Sequence, residues 1–385
     1  MNNFINQMNR LPLYHKPKLS FIKQTFLSNL FSIFHQTYTD LDMSSITYSI
    51  IKNKSATLAR INEDLKDVSP EITEYIKSHT LYDLQLQYQK GEVNIIIIFS
   101  LFSDNKKDLD TYKRFGPWII HWFSICYQFS EKKCKYPVRA HLYLTPFEKK
   151  IPSTGILNEK HANTAFTWKC IPDNKIIIYR REEWFKVLLH ESFHYFNFEN
   201  FKVSDENRLK ECFPLDVRLE IGEAYGEFWA RTLNCFYQAY FIDKEHSRKI
   251  NVLNHFYRLM YIERIFSIYQ AVKILKYMKI SYIDLYAKTQ KGDLIRKEYK
   301  EHTNIFCYYV ITSVLMNEYQ GLMEWCYKNN KDDLFNIHIS NSHLFIDYLK
   351  NICKTPSLLH NINVLSNSFN LNTNHSLRMT ILDFL

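Results

Sequence analysis

Five consecutive residues, His190 to His194, have the types and spacing of a catalytic zinc centre. They read His-Glu-Ser-Phe-His. Residues four apart lie on one face of a helix, so both imidazoles can reach one ion about 2.0 to 2.1 Å away. Glu191 lies beside the position that such a site leaves open, and its carboxylate can accept a proton from zinc-bound water, whose pKa the ion lowers to about 7. The motif therefore predicts metal-assisted hydrolysis.

The flanking sequence predicts that the motif lies in a buried helix. A helix is predicted over Glu182–Phe196, directly after a strand-like run at Lys175–Tyr179. Apart from the motif itself, the residues from Val187 to Phe196 are uncharged, as expected for a helix that is packed on most sides. An exposed helix that carried the motif by accident would contain Lys and Glu at these positions.

A catalytic zinc needs a third protein ligand, and acidic candidates follow downstream. Glu220, Glu223 and Glu227 form one stripe of a predicted helix, where like charges repel unless a cation faces them. A solvated acidic face is the ordinary explanation of such a stripe. Aromatic residues crowd it, however, and it contains Gly222 and Gly226, each of which costs a helix about 1 kcal/mol relative to Ala. This pattern predicts that another helix approaches closely.

The combined pattern resembles the gluzincins, the zinc metallopeptidases that include thermolysin and angiotensin-converting enzyme. The run from Glu223 to Glu227, Glu-Ala-Tyr-Gly-Glu, is similar to their second-helix pattern of Glu-Ala-x-x-acid. The resemblance implies that Glu223 is the third ligand and that Glu227 hydrogen-bonds a zinc-bound His. Glu227 or Glu220 remains an alternative ligand. The metzincin class is excluded because Asn197 and Asn200 occupy the positions where it needs Gly and His.

An edge strand is predicted just before the metal helix. Asn163–Trp168 alternates as a strand, and thermolysin-like enzymes have an Asn-Ala-aromatic strand at this point in their order of elements. The resemblance implies that the backbone of this strand pairs with an extended substrate, with Asn163 and Ala165 as substrate-binding residues. The resemblance to the gluzincins covers about residues 80 to 230. The stretch Ile178–Val187 is also similar to uncharacterised metallopeptidase-like proteins of large DNA viruses.

The resemblance also implies a Tyr or His that stabilises the oxyanion from a helical lobe. His302, Tyr308 and Tyr309 lie on one predicted helix, and Tyr225 lies between the acids. We take Tyr309 and His302 as the catalytic candidates, although core packing is the ordinary role of any one of 27 Tyr residues. Two further histidines are expected to be structural or surface residues rather than ligands: His141 and His161.

The order of elements predicts an α+β protein with a zincin-like mixed sheet, an active-site helix and a mainly helical lower lobe. Residues 1–75 are predicted to be helical, and residues 201–385 to be a helical lobe with the third ligand. Residues 76–200 are predicted to be the upper lobe. Its elements are a hairpin that turns at Lys90–Glu92, a helix over Lys106–Phe129 interrupted near Gly116, and strands at Val138–Leu144, Thr164–Trp168 and Lys175–Tyr179.

The amino-acid composition predicts the size of the core and the cellular location of the protein. At 46% hydrophobic and 16% aromatic residues, the chain can bury a large core. Eight Cys without a Cys-x-x-Cys pair predict reduced, mostly buried thiols and a cytoplasmic location, in a host cytoplasm or a virion. No segment reaches 18 apolar residues and no signal peptide is evident, so neither membrane spanning nor secretion is predicted.

The net charge of +9 is concentrated near the start of the chain. The segment Asn9–Lys23 is basic and contains aromatic residues, which would suit contact with nucleic acid. Such a segment is more often a solvated face, so a nucleic-acid partner is not predicted. The predicted partner is a peptide or protein substrate, and the oligomeric state stays open.

These observations lead us to expect a zinc metallopeptidase with Glu191 as general base. The alternative is a catalytically silent zincin fold that serves as a structural or interaction protein, for example in a virion. The intact Glu191 favours the enzyme, because a silent descendant has no need of the base. Whether the enzyme would be an endopeptidase or an exopeptidase is left open by the sequence.

Overall fold

The computed structural model describes residues 2–14, 21–242, 248–330, 333–368 and 374–383. The chain divides into two compact units. The sheet unit comprises residues 30–148 and 163–198, and the helical unit comprises residues 1–29, 149–162 and 199–385. The protein is of mixed α and β structure. The basic segment Asn9–Lys23 lies partly outside the described residues, which omit 15–20.

The sheet unit is built on one mixed sheet, whose strands are β1 (Thr47–Ile51), β2 (Tyr82–Lys90), β3 (Val93–Leu101), β4 (Val138–Thr145), β5 (Ala165–Phe166) and β6 (Ile176–Arg180). Their order is β1-β2-β3-β4-β6-β5. β1, β2 and β3 are antiparallel neighbours, β3, β4 and β6 are parallel, and β5 is antiparallel to β6. The predicted mixed sheet and its hairpin are thereby confirmed.

The α-helices of the described residues are, in chain order, α1 (Asn2–Met8), α2 (Phe21–Thr39), α3 (Lys54–Asp64), α4 (Pro70–His79), α5 (Lys106–Phe129), α6 (Glu159–Ala162), α7 (Trp184–Tyr195), α8 (Val203–Lys210), α9 (Ile221–Ile242), α10 (Lys249–Tyr277), α11 (Gln290–Lys297), α12 (Thr312–Asn317), α13 (Tyr319–Asn329), α14 (Ser342–Ile352) and α15 (Pro356–Ser368). Short 3₁₀ turns occur at Met43–Ser45 and Lys132–Cys134, and Phe306–Ile311 is π-helical. No helix within these ranges has the length and apolar character needed to cross a bilayer.

The prediction that residues 1–75 are helical is wrong at Thr47–Ile51. These residues form β1, which pairs with β2 from Thr47 opposite Gln87 to Ile51 opposite Asp83. A short apolar run fits either a helix or a strand. Here, pairing with the neighbouring strand β2 determines that these residues form a strand. Helix α3 begins only after Asn53, whose side chain accepts a hydrogen bond from the Ala56 N–H and so caps the helix.

The predicted interruption of the helix near Gly116 does not occur, because α5 continues through Pro117. A proline inside a helix costs about 3 kcal/mol, so packing must compensate. A Cβ atom at Gly116 would lie 2.5 Å from the Tyr48 hydroxyl and 2.6 Å from Leu86 Cδ1. The absence of a side chain therefore lets α5 lie close against the sheet.

The helical unit is organised around α9 and α10. Arg231 on α9 pairs with Glu263 on α10 at 2.7 Å, and both side chains are fully buried. The Thr380 hydroxyl and the Ile381 N–H donate to the other Glu263 oxygen at 3.0 and 3.2 Å, so the buried carboxylate has the additional hydrogen bonds that such a pair needs. The described part of residues 201–385 is largely helical, as predicted.

The helix that was predicted to carry His302, Tyr308 and Tyr309 is divided in the structure. The chain after α11 is irregular until the π-helical segment at Phe306–Ile311. The Glu301 carboxylate accepts the Phe306 N–H at 2.7 Å and the Tyr299 hydroxyl at 2.6 Å. This side-chain acceptor satisfies the first backbone donor of the new segment, which starts the helix at Phe306 instead of continuing α11.

The prediction of eight reduced thiols is wrong for two of them, because Cys134 and Cys170 form a disulfide. Cys134 ends the 3₁₀ turn after α5, and Cys170 follows β5. The two residues are 36 positions apart, so only the path of the chain around the sheet brings them together. The remaining six cysteines are free and buried: Cys126, Cys212, Cys235, Cys307, Cys326 and Cys353.

We expect acid to destabilise the sheet unit through His121 on α5. The ring is fully buried and its Nε2 lies 2.9 Å from the Phe34 carbonyl. Burial lowers the pKa of His121 to about 4, against the opposing effect of the carbonyl. Between pH 6.5 and about 4 the unfolded chain binds a proton that the folded chain excludes. The free energy of unfolding should therefore fall by roughly 1.4 kcal/mol per pH unit as the pH drops through this range.

Urea denaturation at several pH values measures this slope. His121→Gln should flatten it, whereas substitution of the exposed His79 by Gln should leave it unchanged. Equal slopes for His121→Gln and the unaltered protein would assign the acid sensitivity to other groups.

Candidate metal centre

The helix that carries the motif, α7, is fixed in place by α5 and the sheet. All twelve of its residues are buried. Trp184 packs edge-to-face against Phe115, with ring centres 5.0 Å apart, and the Trp122 indole N–H donates to the Ser192 hydroxyl at 2.8 Å. The predicted helix is confirmed, beginning at Trp184 after Glu183, whose φ of 61° lies in the left-handed region. A tight turn thus separates β6 from helix α7, which carries the motif.

The two histidines of the motif point at each other. Their Nε2 atoms are 3.0 Å apart and their rings are inclined by 80°. Two nitrogens that share a tetrahedral ion, each 2.0 to 2.1 Å from it, are about 3.3 Å apart. His190 and His194 are therefore positioned to bind one ion after a small adjustment. Glu191 is 6% exposed, as is His190, so its carboxylate lies in an environment with little water.

Glu223 lies in the first turn of α9, and an amide from another part of the helical unit holds its carboxylate. Asn304 Nδ2 donates to Glu223 Oε1 at 3.3 Å and to Glu220 Oε2 at 3.4 Å. The other Glu220 oxygen is ion-paired with Arg218. Asn304 lies 81 residues from Glu223, and no signal in the sequence connects the two. This contact helps to orient the Glu223 carboxylate.

One ligand atom from each of His190, His194 and Glu223 lies within 4.8 Å of the other two. It is the one group of three or more His, Cys, Asp or Glu residues that could hold a metal ion within the described ranges. Glu220 and Glu227 do not belong to it. Two imidazoles and one carboxylate are a donor set that binds zinc in hydrolases and leaves a coordination position open for water.

The predicted edge strand is present but short. β5 is the outermost strand and pairs with β6 only at Ala165 and Phe166. It ends there because the Asn174 side chain bonds both the N–H and the carbonyl of Trp168, which turns the chain out of the ladder. Asn163 precedes the strand, and its carbonyl accepts a hydrogen bond from Arg180 Nε at 3.0 Å.

The register of β5 fixes the direction of its backbone groups. Tyr179 N–H donates to the Thr164 carbonyl at 3.0 Å, and Ala165 lies opposite Ile178. Ala165 is therefore at a non-hydrogen-bonded position of the antiparallel pair, so its N–H and C=O point away from β6. Ala165 thus offers one donor and one acceptor at the outer edge of the sheet.

The candidate donors to an oxyanion have different surroundings in the helical unit. Tyr309 is buried, and its hydroxyl donates to the Leu377 carbonyl at 2.6 Å. The Tyr225 hydroxyl likewise donates to the Phe335 carbonyl at 2.7 Å. His302 is exposed, and Tyr308 is half-buried in the π-helical segment. Tyr309 or Tyr225 would have to give up a buried hydrogen bond before it could donate to a substrate.

The two histidines predicted to be structural or surface residues lie outside the metal group. His141 is buried and its Nδ1 bonds the Asp64 carboxylate, which also accepts the Tyr143 hydroxyl at 2.6 Å. His161 Nδ1 accepts the Asn158 N–H at 3.2 Å. Both rings therefore have roles in local structure.

Comparison with known proteins gives one partial likeness. No protein-family model matches the chain, and no solved structure matches it. An uncharacterised protein of Acanthamoeba polyphaga mimivirus is 34% identical over 103 residues, which are 26% of this chain and 26% of that protein. The chain is therefore similar to a stretch of a protein from a large DNA virus, and the match spans about a quarter of that relative.

Proposed function

We propose that the protein is a zinc-dependent metallopeptidase of the gluzincin type, with a zincin-like arrangement of sheet and metal helix. The grouping of His190, His194 and Glu223, with Glu191 beside the histidines on a buried helix, carries the proposal. Two His and one Glu form the zinc ligand set of thermolysin. Zinc, when bound, would lower the pKa of a water ligand and polarise the peptide carbonyl.

Other residues of the chain would transfer the proton and orient the metal ligands. Glu191 accepts the proton of the attacking water and passes it to the leaving amine. Asn304 hydrogen-bonds the Glu223 carboxylate and so helps to orient it, as partners of metal ligands commonly do. Glu223 is preferred to Glu220 as ligand because Glu223 belongs to the group of side chains that could hold an ion and Glu220 does not. Glu227, which is buried, is the proposed hydrogen-bond partner of a zinc-binding His.

The substrate is proposed to be an extended peptide that adds to the outer edge of β5. The outward N–H and C=O of Ala165 are the groups that such a peptide would pair with. This binding uses backbone atoms of both chains, so it accepts many substrate sequences. Asn163, at the start of the same edge, is the second proposed substrate contact.

Removal of the metal should abolish peptide cleavage. Dialysis of the purified protein against a chelator is expected to leave no turnover of a peptide library, because the water nucleophile then keeps its pKa near 16. Addition of about one equivalent of zinc should restore the activity. Cleavage that survives complete removal of metal, measured alongside the metal content, would refute a zinc mechanism.

Ala165→Pro should reduce peptide affinity and turnover together while zinc binding stays normal. Proline lacks the outward N–H, yet it breaks no hydrogen bond between β5 and β6 at this position, and outer strands tolerate it. Ala165→Ser is the matched control, because it retains the N–H and should keep full activity. Calorimetric titration with a non-hydrolysed peptide measures the affinity. Unchanged kinetics in a folded Ala165→Pro protein would place the substrate elsewhere.

One observation favours the alternative of a catalytically silent zincin fold with a structural or interaction role. The Tyr225 and Tyr309 hydroxyls are both engaged with buried backbone carbonyls, so neither is preset to bind an oxyanion. Under this alternative the protein would bind zinc but cleave no peptide. The metal content and the peptide digest together distinguish the two functions.

A further inference from the structure

Two of the free cysteines lie in contact in the helical unit, outside the metal centre. Cys212 and Cys353 are 141 residues apart in sequence, yet their sulfurs are separated by 3.1 Å. A disulfide bond measures about 2.05 Å. The two thiols therefore need to move by only about 1 Å to become bonded.

The surroundings give the two thiols different accessibility. Cys212 follows α8 and is 8% exposed, whereas Cys353 follows α14 and is completely buried. The Cys353 sulfur lies 3.2 Å from the Lys350 carbonyl, and the Cys353 carbonyl accepts the Tyr282 hydroxyl at 2.7 Å. Cys212 is thus the thiol that a reagent from solution meets first, and Cys353 is held behind it.

Neighbouring groups also favour ionisation of Cys212. The hydrogen bond from Cys353 lowers the pKa of Cys212 to about 7 in spite of burial, with help from the charges of Lys354 and Lys350. The hydrogen bond to Cys212, together with burial, raises the pKa of Cys353. The outer thiol therefore supplies the thiolate, and the inner thiol keeps its proton until it reacts.

The pair lacks the ligands of a metal site. A structural zinc site takes four ligands, whereas the one group of three or more metal-ligating side chains in the described part of the chain is that of His190, His194 and Glu223. Two thiols in contact without a third ligand are suited to thiol–disulfide chemistry instead.

We propose that Cys212 and Cys353 are a redox-active dithiol that a small-molecule disulfide, such as glutathione disulfide, oxidises to an intramolecular disulfide. The Cys212 thiolate attacks one sulfur of the oxidant, whose S–S bond breaks and releases one thiolate, which takes up a proton. Cys353 then loses its proton to solvent and attacks the Cys212 sulfur, which releases the second thiol. Two protein thiols are oxidised, and one small disulfide is reduced to two thiols.

Oxidation would join two elements that are already neighbours. Lys350 on α14 pairs with Glu211 at 2.6 Å, and Arg208 on α8 pairs with Asp347 on α14 at 2.6 Å. The bond would therefore fix an existing contact and leave the chain path unchanged. This site is independent of the proposed peptidase activity.

Peptide mapping after treatment of the native full-length protein with glutathione disulfide tests the proposal. We expect a new cross-link between the peptides of Cys212 and Cys353, with the mass loss of two hydrogen atoms. Without oxidant, iodoacetamide should label Cys212 roughly tenfold faster than the other buried thiols, because a larger fraction of Cys212 is thiolate.

Variants identify the order of the two steps. Cys353→Ser should stop at a mixed disulfide that leaves one glutathionyl group on Cys212, whereas Cys326→Ala, at a buried thiol elsewhere in the unit, should still form the cross-link. Peptide mapping of the unaltered protein does not depend on whether any variant folds. Retention of six free thiols in the oxidised sample, or a cross-link that excludes Cys212 and Cys353, would overturn the proposal.

Discussion

Substitution of Glu191 by Gln should reduce peptide hydrolysis by about 10² to 10⁴-fold while zinc and fold are retained. The amide has the size of the carboxylate but cannot accept the proton of the attacking water. Because Glu191 is not a proposed ligand, the metal content should remain at about one zinc per chain. The measurement is single-turnover digestion of a peptide library by the variant and the unaltered protein, with zinc quantified in both samples.

Glu74 on α4 provides the matched control. Its side chain is exposed, so Glu74→Gln makes the same chemical change away from the metal and should keep full activity. Equal cleavage by Glu191→Gln and the unaltered protein would refute the role of Glu191 as base. Absence of cleavage by every sample, with zinc bound in each, would favour the structural or interaction role.

Variants at the proposed zinc site should lose zinc to two different extents. His190→Ala and Glu223→Gln each remove a proposed ligand, so each is expected to leave the purified protein with little or no zinc. Glu227→Gln changes only the proposed partner of a ligand and should weaken zinc affinity about 10 to 100-fold. Competition with a chromophoric chelator measures these affinities, and circular dichroism verifies that the variants fold.

The comparison between Glu223 and Glu227 is the decisive part of this experiment. Normal zinc affinity in Glu223→Gln, combined with loss of zinc in Glu227→Gln, would transfer the ligand role to Glu227. His161→Ala is the control for histidine substitution, because His161 does not belong to the group of His190, His194 and Glu223 and its loss should leave the zinc content unchanged.

The parts of the fold that local pattern determines could be predicted from the sequence. Helix α7, the β2–β3 hairpin and helix α9 were found because hydrophobic periodicity fixes each one within its own residues. The position of β1 could not be found in this way, because Thr47–Ile51 is apolar at spacings that suit a helix as well. Its identity depends on pairing with β2, whose paired residues lie 32 to 40 positions downstream.

The candidate site shows the same division between local and distant information. The spacing of His190, Glu191 and His194 is visible in five residues, whereas three acids remained as candidates for the third ligand. Asn304 contacts Glu223 across 81 residues, and Cys134 bonds Cys170 across 36. Such pairs depend on the path of the chain between them, which neither residue type nor local periodicity encodes.

The length of β5 also bears on the tendency of the protein to self-associate. An open sheet edge with several free backbone donors and acceptors is a template on which a second sheet can grow, and natural proteins commonly shorten such edges. Because the side chain of Asn174 ends β5 after two residues, this edge offers few backbone groups to a second sheet. Asn174→Ala should therefore allow the strand to lengthen and make the protein more prone to aggregate.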